Sequence, residues 1–161
     1  MVGSLFRWML RADLGDSFWV GSLENLFFQN AWAMTSCLCA VMHSFEMQLE
    51  LFFLNLYGPY TDREAFWNNL SVMDCFNFPN LVVGGDLNFS LGQSEIWGVK
   101  AKVDGLTDFF NHLLEGLGLI DITPLDPRPT WSNRRSGLES ICKRLDRFLL
   151  SADFLDVFRL R

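Results

Sequence analysis

The chain has 161 residues, half of them hydrophobic and 15% aromatic, with 16 Phe and 6 Trp. That supplies a full core for one domain, excludes global disorder and leaves no room for two domains. A formal charge of −6 argues against a general polyanion binder.

No secretory signal is read in MVGSLFRWMLRADLGD, which lacks a basic region, a clean apolar stretch and a cleavage site. The next segment, from Leu26 to Phe45, carries no charge for a length that could span a bilayer. Its Gln29, Asn30, Thr35, Ser36, His43 and Ser44 are too polar for a helix in lipid. Buried strands joined by a turn are expected instead. Cys37, Cys39, Cys75 and Cys142 form no C-x-x-C pair and have no histidine at ligand spacing, so reduced thiols rather than a zinc site are expected.

From Phe45 the pattern sharpens. Met47, Leu49, Leu51 and Phe53 alternate with Glu46, Gln48 and Glu50, the period of a strand with one wet face, and Gly58-Pro59 ends it. Thr61 and Glu64 have the spacing of a capping box, and Phe66, Trp67, Leu70 and Met73 then share one helical face. Leu81-Val82-Val83 reads as a short buried strand that runs through Gly84-Gly85 to Asp86. Leu106, Phe109, Phe110, Leu113, Leu114 and Leu117 mark an amphipathic helix, with His112 at the edge of the stripe. Three prolines precede a short strand over Thr130–Asn133, and Arg144–Leu150 is read as the last strand. Alternating strands and helices predict a mixed sheet covered by helices, in one domain over residues 1–161.

Asp86 and Asn88 stand two apart after an apolar strand, and on an extended strand such residues face the same side. A carboxylate and an amide oxygen together suit a divalent cation such as Mg²⁺. An apolar strand ending in Asp also matches a nucleotide-hydrolase acid, but no G-x-x-x-x-G-K-[ST] loop exists in the chain.

The ordered set LNLYGPY, a helix with Phe66-Trp67, LVVGGDLNFS, LGLIDI, RPTWSN and RLDRFLLSADF resembles the endonuclease/exonuclease/phosphatase family, most closely the endonuclease domain of plant LINE-type retrotransposons. The resemblance is clearest over residues 50–158, whereas residues 1–45 diverge. It implies an α/β fold, a partial four-layer sandwich of two mixed sheets with outer helices. It also implies Mg²⁺-dependent phosphodiester cleavage with DNA as the partner. By motif, Tyr57 would hydrogen-bond the scissile phosphate, Asp86 would orient or deprotonate the attacking water, and Asn88 would hold the phosphate or that water. Asp146 resembles the acid beside the family histidine, while Thr130, Trp131, Asn133 and Arg144 would meet the substrate. A nuclear or cytoplasmic location, and no membrane partner, go with this family.

Two family features have no counterpart. The upstream strands with an Asn and the metal-binding Glu are missing, since Glu24, Glu46 and Glu50 lie in the wrong context. The final Ser-Asp-His strand is also missing, and the histidines are His43 and His112. Loss of the histidine alone costs about 10²–10⁴ in rate. The expectation is therefore a domain truncated at both ends and without detectable turnover. Its open sheet edges would favour self-association. The alternatives are a non-catalytic module that binds nucleic acid, or a retroelement remnant. Eight basic against four acidic residues from Arg128 onward, after five against fifteen before it, place any phosphate contact in the C-terminal fifth.

Overall fold

The computed structural model describes residues 26–34 and 36–159. In chain order the elements are β1 (Leu26–Met34), β2 (Cys37–Ser44), β3 (Leu49–Leu56), α1 (Arg63–Ser71), β4 (Leu81–Asp86), β5 (Ile96–Trp97), α2 (Thr107–Gly116), β6 (Leu119–Asp121), β7 (Trp131–Ser132), β8 (Cys142–Lys143), β9 (Asp146–Ser151) and α3 (Ala152–Arg159). A six-stranded sheet has the order β1-β2-β3-β4-β9-β6, and β5-β8-β7 form a second, three-stranded sheet. The large sheet is mixed, with β3–β4 parallel and its other pairs antiparallel. The small sheet is antiparallel throughout, which corrects the expectation of two mixed sheets.

The uncharged segment from Leu26 forms the β1–β2 hairpin, with a register shift between Phe28 and Asn30. Only β2 is buried. β1 lies at the sheet edge with Phe27 55% exposed, so the expectation of two buried strands holds for one of them. No helix among the described residues is long and apolar enough to cross a membrane. Residues 1–25, where the sequence gave no dependable periodicity, lie outside the described part.

β3 begins at Leu49, three residues later than an alternation from Glu46 suggests. Gln48, at φ 55°, donates its N–H to Ser44 O at 2.8 Å and closes the turn that takes in Met47. Alternation then sends Phe52, Leu54 and Leu56 to one face, where Trp67 and Leu70 of α1 and Phe110 and Leu114 of α2 cover them. Phe89 stacks on Phe110 at 4.2 Å, and Trp67 meets both rings edge-on. The opposite face carries Leu51, Val82 and Phe154 from α3, a helix not foreseen from the sequence.

The capping box does not form. The residue before α1 is Asp62 at φ 51°, with no side-chain cap, so Thr61 and Glu64 do not close the first turn. The amphipathic helix α2 forms where its 3.6-residue period places it. His112 is exposed on it and bonded through Nδ1 to Asp108 O.

Candidate functional site

Three chain segments meet at one rim of the large sheet: the end of β3, the end of β4 and the start of β9. Antiparallel pairing sets Asp86 directly opposite Asp146. The turn after β3 locks onto the turn after β4. Gly58 donates its N–H to Asp86 O at 2.7 Å, and Asn88 Nδ2 donates back to Gly58 O. A Cβ at Gly58 would run into the Leu87 carbonyl, so this crossing demands glycine.

The strand ends at Asp86, and Asn88 takes the left-handed conformation at φ 53°. The expected i, i+2 strand pair is therefore a turn, in which the Asn88 N–H donates to Asp86 Oδ1 at 3.0 Å. Asn88 is 5% exposed, and its Oδ1 has no hydrogen-bond partner. A buried acceptor without a partner is costly, and such atoms mark sites waiting for a donor or a cation. Burial pushes the Asp86 carboxyl above its ordinary range; the Asn88 N–H works against this and the Asp146 charge adds to it. Like charges directly opposite on paired strands are unfavourable.

Tyr57, half-buried, follows β3, and its hydroxyl shares a 3.4 Å hydrogen bond with that of Tyr60. That bond, with burial and the charges of Tyr57 and Asp86, leaves the Tyr60 phenol pushed up to about 12. Beside this rim opens a cleft of 250 Å³ between Tyr60, Arg63, Asn88 and Asp104 on one side and Trp131, Lys143 and Leu145 on the other. Arg63 grips Asp104 through both guanidinium nitrogens, at 2.5 and 2.7 Å, and donates to Asn88 O at 3.0 Å.

The C-terminal motifs divide into floor and scaffold. Thr130 Oγ1 accepts the N–H groups of Leu145 and Asp146 at 2.9 and 3.0 Å, fixing where β9 begins. Trp131 lines the cleft. Asn133 does not face it freely. Its Nδ2 donates to Glu139 O, and its Oδ1 accepts from the N–H groups of Arg135 and Ile141, so it staples the β7–β8 hairpin. The exposed Arg134 and Arg135 stand at that hairpin's tip.

Arg144 is corrected outright. It is 3% exposed, and its guanidinium is held by Glu95 at 2.7 Å and by Asp121 at 2.7 and 3.0 Å. Arg147, 1% exposed, completes this network with both acids and lies over the Phe89 ring at 5.1 Å. These four charges neutralise one another beneath the site and leave Arg144 nothing to offer a substrate. Burial acts to raise Glu95 and Asp121, but the arginines outweigh it and hold both below the usual carboxylate range.

His43 pairs with Glu50 at the far end of β2 and β3, so neither reaches the rim. Among the described residues no three His, Cys, Asp or Glu side chains gather as a metal cluster. Asp86, Asp146 and the Asn88 oxygen remain as a hard, all-oxygen set that fits Mg²⁺ rather than a softer metal.

Tyr60, Arg63 and Asp104 were not foreseen. The Tyr57-x-x-Tyr60 spacing was legible, whereas Arg63 and Asp104 are 41 residues apart and carry no local motif.

No family model matches the chain, and no curated protein matches it. Among solved structures it is similar to the endonuclease domain of TRAS1, a telomere-specific non-LTR retrotransposon. The TM-score is 0.62 at 20% identity, over 83% of this chain and 59% of that one. It is also similar to D. rerio TDP2 complexed with single-strand DNA product, at TM-score 0.50 and 13% identity, over 79% of this chain and 54% of that one. The chain thus spans somewhat more than half the length of either structure. With its mixed six-stranded sheet, its small second sheet and its outer helices, it has the DNase I-like fold.

Proposed function

We propose that this chain carries the phosphate-holding part of a metal-dependent DNA phosphodiesterase domain, binding a divalent cation and DNA but not cleaving by itself. The carrying observation is the Asp86–Asp146 pair, two acids opposite one another on paired strands with no arginine in ion-pair contact among the described residues, beside the unpartnered Asn88 Oδ1. Asp86, Asp146 and Asn88 would hold Mg²⁺, which when bound supplies charge stabilisation for a phosphoryl oxygen. Tyr57 would donate its hydroxyl to a phosphate oxygen. Asp86 would orient the attacking water and take its proton. Trp131 offers a ring face to a base, and Lys143, Arg134 and Arg135 offer positive charge to the backbone. The endonuclease and the DNA-complexed protein among the similar structures support DNA as the partner.

Turnover is not expected from this chain because no histidine stands at the rim among the described residues. General acid–base help of that kind is worth about 10²–10⁴ in rate. The test joins Mn²⁺ titration, DNA binding at rising salt and plasmid nicking, each on wild type and on Asp86→Asn. Saturable Mn²⁺ binding lost in Asp86→Asn, with salt-sensitive DNA binding and no nicking, is the expected result. A wild type that binds no Mn²⁺ overturns the cation reading. Nicking that disappears in the variant overturns the claim of inactivity.

A further inference from the structure

We infer that Arg63 and Asp104 are positioning residues for Asn88, and that their ion pair sets the geometry of the proposed cation and phosphate site. The inference rests on that proposed reading for its consequence, but not for its geometry.

Asn88 sits in the left-handed region, which asparagine tolerates better than most residues, and its side chain is buried there, so its exact placement depends on the bonds around it. Its N–H and Nδ2 are taken by Asp86 Oδ1 and Gly58 O, both within the rim. Its carbonyl is the remaining handle, and Arg63 Nη1 holds it at 3.0 Å.

Arg63 is itself immobilised. Its fork meets both oxygens of Asp104, whose side chain is 6% exposed, and its guanidinium lies 5.5 Å from the centre of the Phe110 ring. Asp104 is anchored in turn, because its Oδ1 accepts the Leu106 N–H at 3.1 Å where α2 begins. The first residue of α1 and the loop before α2 are thus joined through one guanidinium to the carbonyl of the turn that presents Asn88 to the cleft. Five directed donors in a rigid plane can serve three acceptors at once, which a lysine ammonium cannot do at the same angles.

A bare helix-to-helix staple would explain the ion pair but not the third bond. The two accounts separate experimentally. In uniformly ¹⁵N-labelled chain, the Asn88 side-chain NH₂ should give an exchange-protected signal. Arg63→Lys and Asp104→Asn should both shift it and abolish its protection while the Gly85 amide signal and the melting curve stay close to wild type. Mn²⁺ affinity should fall about 10- to 100-fold in each variant, the usual effect of removing a partner that orients a ligand. In an Asn88→Ala background the same changes should leave Mn²⁺ affinity unaltered, because there is no Asn88 side chain left to position.

An unmoved Asn88 signal in a folded Arg63→Lys or Asp104→Asn chain overturns the inference, as does an undiminished effect on Mn²⁺ affinity in the Asn88→Ala background. If wild type binds no Mn²⁺, the cation reading falls, and the Asn88 signal alone still decides whether the pair positions it.

Discussion

The molecule contains two pairs of closely set acids, and they have opposite surroundings. Glu95 and Asp121 share two buried arginines, so four charges cancel and every guanidinium contact is short. Asp86 and Asp146 face one another across paired strands with no ion-pair partner among the described residues, and one of them is pushed above its ordinary range by burial. A charge-balanced cluster is a fastening. An unbalanced one, at a sheet rim beside an unpartnered amide oxygen, has the character of a site, and its cost is relieved when something positive arrives. This contrast explains why Arg144, one residue from the cleft-lining Leu145, serves stability.

The comparison breaks most visibly at Arg147. Arg147→Ala leaves Glu95 and Asp121 buried with one arginine between them, and the expected loss is about 3–5 kcal/mol in urea unfolding. A loss near zero would mean that the network does not carry the charge balance assigned to it. At the rim the sign should reverse. Asp146→Asn removes like-charge repulsion and should stabilise the cation-free chain by roughly 0.2–1 kcal/mol while abolishing Mn²⁺ binding. Destabilisation instead would show that Asp146 already has a favourable partner.

A change of pH tests the fastened pair without a substitution. Glu95 and Asp121 sit below their ordinary values, near 4.3 and 3.9, so the folded state binds fewer protons than the unfolded one in that range. Their contribution is present above those values and is lost as pH falls through the lowered ones. Unfolding midpoints should hold from pH 7 towards 5 and then drop, by up to about 1.4 kcal/mol per pH unit for each proton involved. A midpoint that rises as the pH drops below 4 would contradict the sign.

Much of this was legible because it is local. Six apolar positions at helical spacing announced α2, and Leu81-Val82-Val83 before two glycines announced β4 and the place of Asp86. The capping box failed for a reason spacing cannot reveal, since it needs Thr61 as the cap with Asp62 already in right-handed helix, and Asp62 is left-handed. Arg144 looked like a substrate cation because its acids stand 49 and 23 residues away. Nothing in RLDRFLL shows that both of its arginines point into the core. Asn88 was read from its motif, but the turn that presents it depends on Arg63 and Asp104, which a linear reading leaves unconnected.

The strand order has a consequence in time. β9 is made late yet sits between β4 and β6, so the sheet stays divided until residues 146–151 have emerged. At about 5–20 residues per second, the sixty residues from one acid to the other take roughly 3–12 s to synthesise. Throughout that interval β4 is an open edge and Asp86 is an ordinary solvated side chain. The acidic pair comes into being only with the closing strand, which makes the proposed cation uptake at the rim a sign that the sheet has been completed.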